Sequence, residues 1–170
     1  VFWGKSKRSV KCLEALIEEG FQVSLVVAQD TSQTPWVGDT VKDHGIDRLV
    51  VDDPNSAVVR DRLSQEAADV FVLGGFGKIL EPDVFEIPSL MTLNLHGGKL
   101  PEYRGSSPMN WSLINGEQSF GLSIIELDAG VDTGDILLSR EFDIDIQDTI
   151  RDLHETANKV FPEMLVEALH

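Results

Sequence analysis

The stretch "LMTLNLHGGKLPEYRG", residues 90–105, joins an apolar run to a glycine-rich loop. Residues two apart on a strand point to the same face. Asn94 and His96 therefore project together, while Leu93 and Leu95 face the opposite way. An amide and an imidazole at a strand end can satisfy loose backbone groups there. They can also do chemistry: Asn donates a hydrogen bond to an oxyanion, and His moves or stabilises a proton near neutral pH. The surrounding sequence has to distinguish these readings.

Outward from this strand the chain alternates elements. "VFWG" ends a short strand, and Val10, Leu13, Leu16 and Ile17 keep a helical period closed by Gly20. "FQVSLVVAQ" has the near-continuous apolar run of a strand covered on both faces. Residues 30–40 have loop composition, and "TVKDHGI" reads as a short helix before the strand "RLVVDD". "NSAVVRDRLSQEAA" is helical, "DVFVLGGF" a strand, and "EPDVFEIP" a short helix leading into residues 90–96. This βαβα order predicts an α/β fold with a parallel sheet and helices on both sides. Ligands of such sheets settle at the carboxyl ends of strands, where Asn94 and His96 lie.

Beyond the glycines, "SPMNWSLINGE" reads as a helix closed by Asn115-Gly116. "GLSIIELD" and "DILLSREFDI", joined by the turn "AGVDTG", predict an antiparallel hairpin at the sheet edge. The last stretch, from about Asp148, has the pattern of an amphipathic helix interrupted near Pro162. The 170 residues are read as one domain without internal repeats. Because the chain starts with Val and ends within a helical pattern, it is expected to be a fragment of a longer protein.

Composition narrows the chemistry. The formal charge of −15 disfavours nucleic acid and anionic membrane as partners, since phosphate binding needs clustered cations. Lys5, Lys7, Arg8 and Lys11 form the one basic cluster, read as a solvated helix start. Cys12 is the sole cysteine, so no intrachain disulfide forms, which fits a reducing, cytoplasmic setting. There is no signal-peptide pattern and no apolar run of bilayer length. No GxxxxGK[ST], HExxH or GxSxG occurs, and the histidines are scattered at 44, 96, 154 and 170, so no metal site is expected. A carboxylate that could orient His96 is available in "LDAGVDTGDI", where Asp128, Asp132 and Asp135 compete and spacing alone does not choose. Each also suits a plain turn-forming role.

Taken together, "GGFGKIL", "NLHGGKLPEYRGSSPMNW", "NGEQSFGLSI" and "LDAGVDTGDIL" resemble successive signatures of the formyltransferases that use 10-formyltetrahydrofolate. That family includes methionyl-tRNA, glycinamide ribonucleotide and sugar-nucleotide N-formyltransferases. The resemblance implies a Rossmann-like fold: a mostly parallel twisted sheet, helices on both faces, and an antiparallel edge hairpin. Its Asn-x-His strand end and an Asp about 36 residues after the His select Asp132, since 132 − 96 = 36. Asn94 and His96 would then stabilise the oxyanion formed from the formyl group, and Asp132 would orient His96 and relay a proton. Gly77, Lys78, Ile79 and Leu80, with Asp128, Ala129, Gly130 and Val131, would line the folate pocket. No metal is implied.

Gly98-Lys99 departs from the family's usual Ser-Leu, and Lys99 is a candidate contact for an acidic part of substrate or cofactor. The acceptor expected from the sequence is a primary amine on an amino-sugar nucleotide. The alternatives are the catalytic domain of a methionyl-tRNA formyltransferase and a formylation domain of a larger synthetase. A folate-binding module without turnover is the non-enzymatic alternative. The expected partners are thus a small amine-bearing molecule, with tRNA less favoured, and a second copy of the chain in a homodimer, with no membrane.

Overall fold

A computed structural model describes residues 1–29 and 36–170. Seven strands form one sheet: β1 (Phe2–Trp3), β2 (Leu25–Ala28), β3 (Asp47–Val50), β4 (Val70–Leu73), β5 (Met91–His96), β6 (Ser119–Glu126) and β7 (Ile136–Asp143). Their order across the sheet is β3-β2-β1-β4-β5-β6-β7. The first five run parallel, while β6 and β7 are antiparallel additions. This is the predicted sheet with its edge hairpin.

The helices are α1 (Lys7–Glu18), α2 (Trp36–Asp43), α3 (Ala57–Ser64), α4 (Pro82–Phe85), α5 (Pro108–Ile114) and α6 (Ile150–Leu169). Alternating strand positions split the core into two layers. Phe2, Val26, Val72, Leu93, Leu95 and Ile124 bury one face of the sheet against Cys12 and Leu16 of α1 and Phe161 of α6. Trp3, Val27, Phe71 and Leu73 bury the other face against Val59 and Leu63 of α3 and Val84 of α4. The chain changes face between β3 and β4. The strand order therefore reverses between β1 and β4, which opens a crevice at the carboxyl ends of the central strands.

Local signals fix several element ends. Ser6 caps α1 by accepting from the Ser9 N–H, and Ser9 replies to the backbone of Ser6. Thr149 and Asp152 form the equivalent box at the start of α6. Cys12 is fully buried, and burial pushes its thiol up to about 12, so it remains a neutral core residue.

Three expectations need correction. Residues 30–40 were expected to be loop, but α2 begins at Trp36, with residues 30–35 outside the described part. Val41 is buried in the α1-side core, and this tertiary contact outweighs the loop-like local composition. The last helix runs unbroken through Pro162. An interior proline costs roughly 3 kcal/mol. Phe161, Met164 and Leu165 are fully buried beside it, and each contributes roughly 1.5–3 kcal/mol. Packing therefore wins. Arg8, finally, is not a solvated helix-start residue. Its guanidinium lies 5.0 Å from the centre of the Phe161 ring, and its Nε donates to Asn158 Oδ1 at 3.2 Å.

Candidate active site

The parallel pairing of β4 with β5, Leu73 opposite Asn94, brings the ends of both strands to one rim. Leu93 and Leu95 point into the core, which forces Asn94 and His96 onto the opposite face. The β6–β7 connection then folds back over that face. Glu126 donates its N–H to the Asp135 carbonyl at 2.9 Å, closing the connection at its base.

Asp132 sits in this connection with a φ of 51°, a left-handed conformation rare for a residue with a side chain. The strain places one carboxylate on two partners. Its Oδ1 accepts from Asn94 Nδ2 at 3.2 Å, and its Oδ2 lies 3.3 Å from His96 Nδ1. The Gly105 N–H donates to the same Oδ2 at 2.9 Å, and Arg104 Nε donates to the Asp132 carbonyl at 3.1 Å. The carboxylate is thus fixed from both sides of the rim. The other ring nitrogen of His96, Nε2, stands 2.6 Å from the Tyr103 carbonyl oxygen. A carbonyl only accepts, so Nε2 carries a proton. A proton on Nδ1 as well makes the Asp132 contact an ion pair.

The arrangement brings Asn94, His96 and Asp132 together, whereas the Asp128 carboxylate, at the same cleft, is engaged by its own turn. Asp128 Oδ1 accepts from the Gly130 N–H at 3.0 Å and from the Thr133 hydroxyl at 2.7 Å. Its carboxylate therefore shapes the turn. Asp135 lends its backbone carbonyl to Glu126.

All three side chains line a cleft of about 420 Å³ at the carboxyl ends of β4 and β5. Gly77, Lys78, Ile79 and Leu80 form one wall. Asp128, Gly130 and Val131 also line the cleft, whereas Ala129 is not part of the lining. Ile79 and Val131 remain exposed, so the lining includes two accessible apolar side chains. Another cavity, about 440 Å³, opens at the amino ends of the strands beside Val1, Val70 and Asp69, and none of the three polar residues reaches it. Among the described residues no group of His, Cys, Asp or Glu is placed to hold a metal ion.

In the β6–β7 turn a Cβ on Gly134 would run into the Glu126 carbonyl, so the missing side chain serves the turn's own closure. One further sequence expectation changes in the structure. Lys99 was a candidate contact for an acidic ligand. It lies outside the cleft lining, with Nζ 2.8 Å from Glu141 on β7. The sequence reading assigned no role to Tyr103, Arg104 and Gly105, although "YRG" belongs to the quoted motif. Their contribution runs mainly through backbone groups, which side-chain identity does not advertise.

Comparison with known proteins identifies this site's lineage. The model of a family described as formyl transferase matches residues 6–169. The chain belongs to the formyl transferase family. The methionyl-tRNA formyltransferase of Ruminiclostridium cellulolyticum is 33% identical over 177 residues, covering 99% of this chain and 57% of that protein. The enzyme of the same name from Clostridioides difficile is 34% identical with the same coverage. The chain thus spans a little over half the length of these curated relatives. Among solved formyl transferases, the phosphoribosylglycinamide formyltransferase of Bacillus halodurans superposes with a TM-score of 0.84 at 19% identity, over 99% of this chain and 93% of that one. A sugar 3N-formyl transferase solved in the presence of dTDP and 5-N-formyl-THF gives a TM-score of 0.77 at 20% identity, over 99% of this chain and 60% of that one. These two likenesses establish the shared formyl transferase fold. Among the described residues no helix is long and apolar enough to cross a membrane.

Proposed function

We propose that the chain is the catalytic part of an enzyme that moves a formyl group from 10-formyltetrahydrofolate to a primary amine. The observation that carries this reading is the single carboxylate of Asp132 serving both Asn94 and His96 at the rim of the cleft. Asn94 spends one amide hydrogen on Asp132 and keeps a second for the oxygen of the formyl group as it becomes an oxyanion. A preorganised donor of this kind is worth roughly 3–4 kcal/mol. His96, only 5% exposed, adds positive charge to the same centre when doubly protonated. As the amine nitrogen bonds to the formyl carbon, the bond from that carbon to the folate nitrogen breaks. The proton lost by the amine ends on the departing nitrogen. Asp132 stands where it can carry that proton by way of the rim.

The mixed apolar and backbone-polar lining of the cleft fits a flat, partly polar ring system. Ile79 and Val131 would cover its faces, and backbone groups of the turn would meet its edge.

For the acceptor, the names of the curated relatives favour methionyl-tRNA over the amino-sugar nucleotide expected from the sequence. The sugar enzyme's likeness, at 20% identity, supports the fold alone. With a charge of −15, these 170 residues offer little attraction to RNA phosphates, so in this reading the cleft meets the amine-bearing end of the acceptor. That same charge favours the second reading, a small nucleotide-linked amine.

The full-length protein should be incubated with 10-formyltetrahydrofolate and offered methionyl-tRNA or UDP- and dTDP-amino sugars. Formylated methionyl-tRNA, detected by mass spectrometry and lost in His96→Ala, is the expected product. Formylation of a sugar alone would reassign the acceptor. Formylation of neither acceptor, with no thermal stabilisation by the donor, would overturn the function itself.

A further inference from the structure

We infer that residues 98–103 form a brace that seats the Tyr103 carbonyl on His96 Nε2, with Gly98 and Lys99 as its positioning residues. This rests on the proposed role of His96. The brace leaves Nδ1, beside Asp132 Oδ2, as the one ring position where a proton comes and goes.

The close approach exists because position 98 has no side chain. A Cβ there would stand 2.5 Å from the Tyr103 carbonyl oxygen, 2.6 Å from His96 Nε2 and 2.7 Å from Pro108 Cβ. Two of these neighbours are the partners of the contact itself, so an alanine has to part them. The brace closes on itself through the Tyr103 N–H, which donates to the Lys99 carbonyl at 2.8 Å.

Its outer side is docked on the hairpin. The Ser123 hydroxyl donates to the Gly98 carbonyl at 3.2 Å. Lys99 lies against Gly121 of β6, where a Cβ would come within 2.6 Å of Lys99 Cα and 2.9 Å of its nitrogen. The Lys99 ammonium then pairs with Glu141, which also accepts from the Ser119 hydroxyl. At the far end, the Tyr103 hydroxyl donates to Glu117 at 2.5 Å and accepts from Asn115 at 3.1 Å. Backbone contact against two glycines sets the geometry, and the exposed Lys99–Glu141 pair limits how far the brace can lift.

With Nε2–H committed to a carbonyl that cannot give a proton back, the imidazole exchanges its second proton only on the Asp132 side. Asp132 in turn holds Asn94, so proton movement and oxyanion alignment meet on one carboxylate.

The test is side-chain ¹⁵N NMR of His96 in the full-length protein at alkaline pH, with Gly98→Ala and Lys99→Met as variants. The wild type is expected to show a protonated Nε2. In Gly98→Ala that proton should be lost, leaving Nδ1–H donating to Asp132. Lys99→Met should give a mixture of the two signals, and the double exchange Lys99→Glu with Glu141→Lys should restore the wild-type signal. In parallel, kcat for formyl transfer should fall about 10- to 100-fold in Gly98→Ala with the KM for the folate donor unchanged, as misplacement of a reacting group predicts. A folded Gly98→Ala protein with the wild-type Nε2 signal overturns the brace. If Gly98→Ala does not fold, an unchanged signal in the surface variant Lys99→Met overturns it equally. Both signals are read without turnover, so an inactive wild type would count against the proposed function alone.

Discussion

Oδ2 of Asp132 lies 3.3 Å from Nδ1 of His96, across 36 residues of chain and from a backbone turned to a φ of 51°. The other oxygen of the same carboxylate holds Asn94. The strained conformation has a structural cause in the Gly105 N–H and Arg104 Nε, which pull the turn onto the rim from the loop side. An aspartate so placed is read as an organiser of its two neighbours, because each of its oxygens is committed to one of them.

Asp132→Asn is expected to keep the fold and lose activity. The amide lacks the charge that pairs with a protonated His96, and its NH₂ is forced toward either Asn94 or Gly105. Formyl transfer should fall about 10²-fold or more. Asn94→Ala removes the free amide hydrogen and should lower kcat about 10²- to 10³-fold, with the KM for the folate donor little changed. Steady-state kinetics of both variants, checked by circular dichroism, tests the assignment. Wild-type kcat in either one contradicts it.

The contribution of His154 to stability should fall as the solution is acidified through the histidine range. Partial desolvation, and to a lesser extent the charge of Arg8, holds the largely exposed His154 below its ordinary value of 6.5. The unfolded chain therefore takes up the proton first. The stability contribution is complete above about pH 6.5 and is lost as the pH drops through the depressed value. Denaturant midpoints measured from about pH 8 to pH 5 should decline, and His154→Gln should decline less steeply over that window. Equal slopes would remove His154 from the account.

Gly134→Ala should destabilise the protein by about 1–3 kcal/mol, the usual scale for forcing extra atoms into a close-packed site. The clashing partner is the Glu126 carbonyl, a backbone group that cannot rotate away. Denaturant unfolding would register this as a lower midpoint at constant m-value. Because the same turn carries Asp132, activity should fall more than the loss of stability explains. A variant as stable as the parent would show that the turn closes by another route.

Much of the fold was legible because it rests on periodicity. The apolar strands, the period of α1 and the turn residues Asn115-Gly116 each announce an element through side-chain type and spacing. The misread segments are those where packing overrules local preference. α2 forms in a stretch containing Gly38, and α6 passes through Pro162, because buried partners outweigh the local cost.

The site divides in the same way. Pleat alone puts Asn94 and His96 on one face, so the sequence by itself determined that the two side chains project together. It also determined the α/β alternation that leaves this pair at a strand end. Only the tertiary structure decided that the Asp132 carboxylate bridges both, that the glycine of position 134 serves the turn's closure, and that Lys99 pairs with Glu141. The physical reason is that these relationships run through backbone carbonyls, backbone N–H groups and missing Cβ atoms. Every residue carries the first two, apart from proline's N–H, and every glycine shares the third. What they touch depends on where the folded chain brings them.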